Sequence, residues 1–216
     1  AGIGAAIGKC MHSAGARVVL VGRTERTLSA QCEEFGYGSA FVVHDVTDTG
    51  GAGRCVKDAE GCFGPVTALV NNAGIHLKRP AVETSVEDFR RVLDTHILGA
   101  HALVREVAPG MTRRGGGSIL FTASMASLFG IPQVIAYSAA KSAMLGVVRT
   151  LATELSADGV RVNAIAPGWI ETDMSRKAME GDPARKEKIL GRTPMRRFGK
   201  PEDIGWAAVY LASPAA

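Results

Sequence analysis

Short apolar runs and longer stretches of helical spacing alternate along the chain. Runs rich in β-branched residues fall at 17–21, 40–43, 67–70, 118–122 and 160–165. They are mostly continuous rather than alternating, as strands buried on both faces are. Helical spacing covers about 3–13, segments opening near Thr24 and Thr49, a long segment from Ser85 to about Met111, the segment 136–155, and a last one opening at Pro201-Glu202-Asp203. Ser85, with Asp88 three residues on, is a capping-box pattern with Asp in the place of Glu, and Pro109 is expected to kink or end its helix. Such alternation predicts right-handed crossovers and an α/β fold, a doubly wound parallel sheet with helices on both faces. The stretch 171–200 is polar and broken by Pro183 and Pro194. It reads as an excursion over the sheet edge, either a lid or a plain insertion. With no linker in sight, residues 1–216 form one domain.

Composition narrows the classes. Apolar residues make up 46% and charged residues 21%, enough for a large core, which excludes disorder. The net charge of +4 is small and its carriers are scattered, so we expect solvated faces and no nucleic-acid partner. Cys10, Cys32, Cys55 and Cys62 form no C-x-x-C pair and have no histidines at zinc spacing. We therefore expect no metal, reduced thiols and a cytoplasmic protein. No apolar run reaches membrane-spanning length, and no membrane partner is expected.

Gly2-Ile3-Gly4 opens a helix, where free N–H groups and the helix dipole attract a phosphate; a plain helix cap is the alternative. A helix stop at Gly15 and a buried strand follow, the second part of a nucleotide-binding βαβ unit. That strand ends in Gly22-Arg23. An Arg there accommodates a 2′-phosphate, where a carboxylate would bind a ribose diol; an exposed surface Arg is the alternative. Tyr137 and Lys141 stand i, i+4 on one helical face. A neighbouring ammonium pulls a phenol pKa down from about 10, as a general acid at neutral pH requires. Ser124 follows the fourth strand at its carboxyl end, where such sheets bind ligands. A serine hydrolase built on Ser124 is disfavoured, because Phe121-Thr122-Ala123-Ser124-Met125-Ala126 is not a G-x-S-x-G elbow.

Gly2-Ile3-Gly4, Asn71-Asn72-Ala73-Gly74, Ser124, Tyr137 to Lys141, and Pro167-Gly168 before Ile170 and Thr172 occur in one order over nearly the whole chain. In this the sequence resembles the classical short-chain dehydrogenase/reductases, which have a Rossmann-like fold. The resemblance implies that Ser124 polarises the substrate oxygen, Tyr137 transfers the proton, and Lys141 lowers the Tyr137 pKa and holds the nicotinamide ribose. It implies that Asp45 and Val46 flank the adenine, that Asn72, Ala73 and Gly74 line the cofactor cleft while Asn71 braces the sheet, and that Ile170 and Thr172 touch the carboxamide and phosphate regions. The family places an Asn three residues before a Gly in the long helix, to hold a relay water. Here His96 stands there, before Gly99. Either its imidazole holds the water, adding a pH dependence near neutrality, or the relay is rebuilt around solvent.

The implied activity is interconversion of a secondary alcohol and a ketone, with NADP(H) preferred because of Arg23 and NAD(H) as the alternative. A catalytically silent dinucleotide-binding or scaffolding protein is the competing function. The segments 159–172 and 193–203 are similar to those of 3-oxoacyl-carrier-protein reductases and gluconate 5-dehydrogenases, which leaves a 3-oxoacyl thioester and a sugar acid or polyol open as substrates. In the excursion, Arg176, Lys177, Arg185, Lys186, Lys188 and Arg192 suit an anionic substrate or merely a solvated helix. The helices within 85–111 and 132–155 carry surplus apolar and small residues, and the family pairs them, which implies a homo-oligomer, a dimer of dimers. Ala1 falls inside the glycine motif and the chain stops at Ser213-Pro214-Ala215-Ala216. We therefore expect the first strand and the last edge strand to be missing, with a gap between the strands at 17–21 and 67–71 and an unstable or inactive 216-residue chain.

Overall fold

The computed structural model describes residues 2–179 and 183–216. Its elements follow in chain order: α1 (Gly2–Ser13), β1 (Val18–Gly22), α2 (Glu25–Phe35), β2 (Ser39–Val43), α3 (Ala52–Phe63), β3 (Ala68–Asn71), α4 (Val86–Leu93), α5 (Gly99–Arg113), β4 (Gly117–Thr122), α6 (Ile135–Leu155), β5 (Val160–Ile165), α7 (Asp173–Met179), α8 (Pro183–Arg192) and α9 (Pro201–Ala212). All strand pairs are parallel, in two sheets ordered β1-β2 and β3-β4-β5. Among the described residues β1 pairs only with β2, and β3 is joined on one side only, by β4. The expected gap between β1 and β3 is present, and a cavity of about 710 Å³ is lined by both strands.

β4 lies at the centre of the core. Its side chains alternate between sheet faces, as the two-residue period requires. Ile119 and Phe121 pack with Val104, Val107 and Met111 of α5 and Met144 of α6. Leu120 packs on the other face with Ile7 of α1 and Ile204 and Ala208 of α9. All three are at most 2% exposed; burying such a side chain contributes about 1.5–3 kcal/mol. Helices on both faces of parallel strands are what the continuous apolar runs predict.

The long helix departs from its expected shape. Ser85 caps α4, its Oγ accepting from the Asp88 N–H at 3.0 Å, but the Asp88 carboxylate turns to Arg79 and Arg91 instead of closing the box. The chain then passes through a π-helical turn at Asp94–Leu98 into α5, which runs through Pro109 to Arg113. Pro109 therefore does not end the helix. The excursion after β5 carries α7 and α8, and its base is clasped by a bridge between Ile170 and Gly199. No helix among the described residues is long and apolar enough to cross a membrane.

Candidate active site

The site is assembled at the carboxyl end of β4. Ser124, just beyond the strand, is extended and caps a short 3₁₀ turn at Met125–Ser127, its Oγ accepting from the Ala126 N–H at 3.1 Å. That turn is fastened to α6, because the Ser127 hydroxyl donates to the Lys141 carbonyl at 2.8 Å. The same helix carries Tyr137 and Lys141 one turn apart, so Ser124 and the i, i+4 pair are held together by one clasp. The Ser124 side chain stands near enough to the Tyr137 phenol to act on its pKa. Lys141 is 3% exposed; its Nζ donates to the Thr122 carbonyl and lies 5.6 Å from the Tyr137 ring centroid.

The electrostatics revise one expectation. Burial pushes the Tyr137 phenol above its ordinary value, with Ser124 pulling the other way. Burial also brings the Lys141 ammonium down to about 8. The expected downward pull of Lys141 on Tyr137 is therefore not realised: the ammonium is turned to Thr122, and desolvation dominates the phenol. At neutral pH Tyr137 is a protonated phenol, the form a proton donor needs.

His96 is buried against this group, its ring 5.5 Å from the Tyr137 ring and nearly perpendicular to it. Nε2 lies 3.1 Å from the Ile75 N–H and 2.9 Å from the Ile75 carbonyl, while the buried Nδ1 has no partner among the described residues. Gly74 is required by this ring, because a side-chain carbon at Gly74 would sit 2.4 Å from His96 Cε1. Burial, then the Lys141 charge, lowers the imidazole to about 4, against a weaker opposing effect from its Ile75 hydrogen bond. His96 thus faces the active-site helix as expected, but stays neutral across physiological pH; the titration expected near neutrality is displaced by burial.

The residues expected around a cofactor lie along the cleft from α1 to β3. Gly4, Gly22, Arg23, Asn72, Ala73 and His96 border the gap between β1 and β3. Gly4 is dictated by Asn72, whose Nδ2 would stand 2.5 Å from an added side-chain carbon. Gly2 lies beside Thr172, and Ile3 packs toward the cluster containing Ile7 and Ile170. The Pro167 carbonyl accepts from the Met125 N–H at 3.0 Å, which draws the Pro167-Gly168 loop to Ser124. Thr172 is tied to Ser175, with the Thr172 N–H donating to its Oγ at 3.0 Å. Asp45 is held by the Thr47 N–H and hydroxyl at 3.0 and 2.8 Å, contacts that lower its carboxyl pKa. Val46 packs at Gly99. Arg23 is exposed and stands 3.8 Å from Asp45.

The bracing role expected of Asn71 falls to its neighbour. Asn72 Oδ1 accepts from the Thr122 hydroxyl at 3.2 Å and so joins the ends of β3 and β4. The buried Asn71 amide has no partner among the described residues. Of the basic residues in the excursion, Arg176 pairs with Asp173; Ala1 and the side chains of Lys177 and Arg185 lie outside the described residues. His76, which sequence reasoning passed over, is exposed with its ring 5.5 Å from that of Tyr137. Its one signal in the sequence was a histidine two residues after Asn71-Asn72-Ala73-Gly74.

A family model described as enoyl-(acyl carrier protein) reductase matches residues 1–216. The chain belongs to the short-chain dehydrogenase/reductase family. This short-chain dehydrogenase/reductase is 38% identical over 218 residues to a galactitol 2-dehydrogenase (L-tagatose-forming) from Cereibacter sphaeroides, with 100% of the chain and 85% of the relative covered. It is 37% identical over 203 residues to a protein of Xanthobacter autotrophicus named inactive 2-(S)-hydroxypropyl-CoM dehydrogenase 2, covering 93% of the chain and 88% of the relative. A crystal structure described as an NAD(P)-dependent gluconate 5-dehydrogenase from Beutenbergia cavernae, with NADP at low occupancy, superposes with a TM-score of 0.93 at 38% identity, covering 100% of this chain and 86% of that one. The fold is the Rossmann-like fold of this family, and the chain is an oxidoreductase of alcohol- and ketone-type substrates.

Proposed function

We propose that this short-chain dehydrogenase/reductase interconverts a secondary alcohol and a ketone with a nicotinamide cofactor, Tyr137 acting as the general acid and base. The observation that carries the reading is the convergence of Ser124, on a turn clasped to α6 through Ser127 and Lys141, with Tyr137 and Lys141 one turn apart on that helix. The residues present fit a dinucleotide: a helix opening on Gly2 and Gly4 offers N–H groups to phosphate, with Asn72 beside Gly4 and His96 beside Tyr137. When bound, the cofactor supplies or accepts the hydride at the carbonyl carbon. Ser124 donates a hydrogen bond to the substrate oxygen. In reduction Tyr137 gives its phenolic proton to that oxygen, and in oxidation it takes the proton back. Lys141 holds the nicotinamide ribose. His96, neutral, holds a water at Nδ1, and that water passes protons toward Lys141.

NADP(H) is the preferred cofactor, because Arg23 is free to turn from Asp45 toward a 2′-phosphate; NAD(H) remains usable. Gly2, Ile3, Gly4, Asp45, Val46, Gly74, Pro167, Gly168, Ile170 and Thr172 complete the cofactor cleft. A polyol or sugar acid is favoured over a 3-oxoacyl thioester by the names of the galactitol and gluconate relatives. The protein acts in the cytoplasm as a homo-oligomer. Val86 and Leu98 are 67% and 51% exposed beside a groove lined by Phe89, Leu93, Ile97 and Ala143, an apolar face suited to a second copy. Oxidation of NADPH with a panel of ketones and ketoses tests the activity; turnover of none of them would overturn it. Cofactor binding without turnover is the second reading, favoured by the inactive Xanthobacter relative. Titration of NADPH by fluorescence, run beside the turnover panel, separates the two.

A further inference from the structure

Ser124 and Tyr137 stand on different elements, one beyond the end of β4 and the other on α6, so their spacing depends on what joins those elements. Ser127 reaches both. Its N–H donates to the Ser124 carbonyl at 2.9 Å, closing the 3₁₀ turn at Met125–Ser127, and its hydroxyl donates to the Lys141 carbonyl at 2.8 Å. Its own carbonyl accepts from the Ser142 hydroxyl at 3.4 Å. Among the described residues, every hydrogen bond between this turn and α6 passes through Ser127. The other side of the turn is held by the Met125 N–H, which donates to the Pro167 carbonyl at 3.0 Å. Within the turn, the Ser124 Oγ accepts from the Ala126 N–H at 3.1 Å. That bond occupies a lone pair and leaves the Ser124 proton for donation.

Resting on the oxidoreductase reading above, we propose that Ser127 is a positioning residue, whose hydroxyl bond to the Lys141 carbonyl aligns the Ser124 hydroxyl with the Tyr137 phenol on one substrate oxygen. Tyr137 lies one turn before Lys141 on the same helix, so fixing the turn to the Lys141 backbone fixes it relative to the phenol. A helical carbonyl has two lone pairs, so the Lys141 carbonyl takes the Ser127 proton without giving up its place in α6. Ser127 acts through Ser124 and needs no contact with substrate. Donors to a reacting oxygen work at about 2.7–3.1 Å, and a misplacement of about 1 Å can cost about 10²-fold in rate. Losing the Ser127 hydroxyl leaves the Pro167 anchor and the backbone bond to Ser124 in place, so the displacement is smaller and the expected loss is about tenfold.

The test is a double-mutant cycle on NADPH-dependent reduction of L-tagatose, or of whichever carbonyl wild type reduces fastest. Ser127→Ala and Ser127→Thr are each made in the wild-type and in the Ser124→Ala background. Ser127→Ala removes only the hydroxyl, and Ser127→Thr restores it. In the wild-type background Ser127→Ala should lower kcat about tenfold, with KM and NADPH affinity held and most of the rate recovered in Ser127→Thr. In the Ser124→Ala background the same change should lower kcat by less than about twofold, because residues that act through one another are not additive. An equal loss in both backgrounds, a loss confined to KM or NADPH affinity, or an unchanged kcat would overturn the role of Ser127 while leaving the oxidoreductase reading standing. Turnover of no carbonyl by wild type would overturn both.

Discussion

Among the described residues the two halves of the sheet differ in enclosure, and the open edge of β1 faces the gap where the first strand is expected to be missing. On the β3-β4-β5 side, β4 is paired along both edges and sealed on both faces, with Ile119, Leu120 and Phe121 at most 2% exposed. Ser124, Tyr137 and Lys141 hang from that strand and the helix packed on it. On the β1-β2 side, β1 is paired along one edge only among the described residues, and its last residues, Val21 and Gly22, lead directly to the exposed Arg23. The proposed proton-transfer residues thus sit on the more enclosed half, where burial shifts the pKa values of Tyr137, Lys141 and His96. In the proposed function the other half would meet its ligand through the exposed Arg23, for which water and Asp45 compete. Changes on the β4 side should therefore act strongly on turnover or stability, and changes on the β1 side weakly on affinity.

After Tyr137, the largest effect is expected at Ser124. Ser124→Ala removes a preorganised donor to the substrate oxygen and should lower kcat by about 10²–10³-fold, with NADPH affinity retained; loss of affinity together with kcat would erase the contrast between the halves. Next comes the acid stability carried by His96. Its pKa is about 4 folded against 6.5 ordinarily, so the unfolded chain binds the extra proton between these values. Stability from this group is present above pH 6.5 and lost as pH falls to 4, about 3 kcal/mol in all. Urea unfolding of wild type and His96→Asn across pH 4–7 should show wild type losing that much more on acidification; parallel curves would contradict the burial argument. Gly4→Ala forces the Asn72 amide aside and strains its bond to Thr122, which should cost about 1–3 kcal/mol in urea unfolding. The smallest effect belongs to the exposed side: Arg23→Ala should weaken NADPH binding by about 1 kcal/mol or less and leave NADH binding alone. An equal loss for both cofactors would mean that Arg23 does not read the 2′-phosphate.

Much of this contrast was legible beforehand, for a physical reason. Strands buried on both faces must be written in continuous apolar runs, so all five were found within a residue or two, and the order of glycine turn, Ser124, Tyr137 and Lys141 carried the site. What escaped depends on packing. The π-helical turn at Asp94–Leu98 and the helix running through Pro109 show no local signature. The exchange of roles between Asn71 and Asn72 follows from which amide meets Thr122. The pKa directions of Tyr137, Lys141 and His96 follow from burial, which residue spacing does not reveal; the i, i+4 spacing argued for a depressed Tyr137, and the family resemblance for a titrating His96.

The central claim is that Tyr137 moves the proton on a support that does not bind the cofactor through it. Tyr137→Phe, assayed for kcat with a reducible carbonyl and for NADPH affinity by fluorescence titration, tests it most directly. The account predicts a kcat lower by about 10²–10⁴-fold, the usual contribution of general acid catalysis, with affinity changed less than about threefold, no more than one neutral hydrogen bond contributes. A Tyr137→Phe enzyme turning over at the wild-type rate would contradict it.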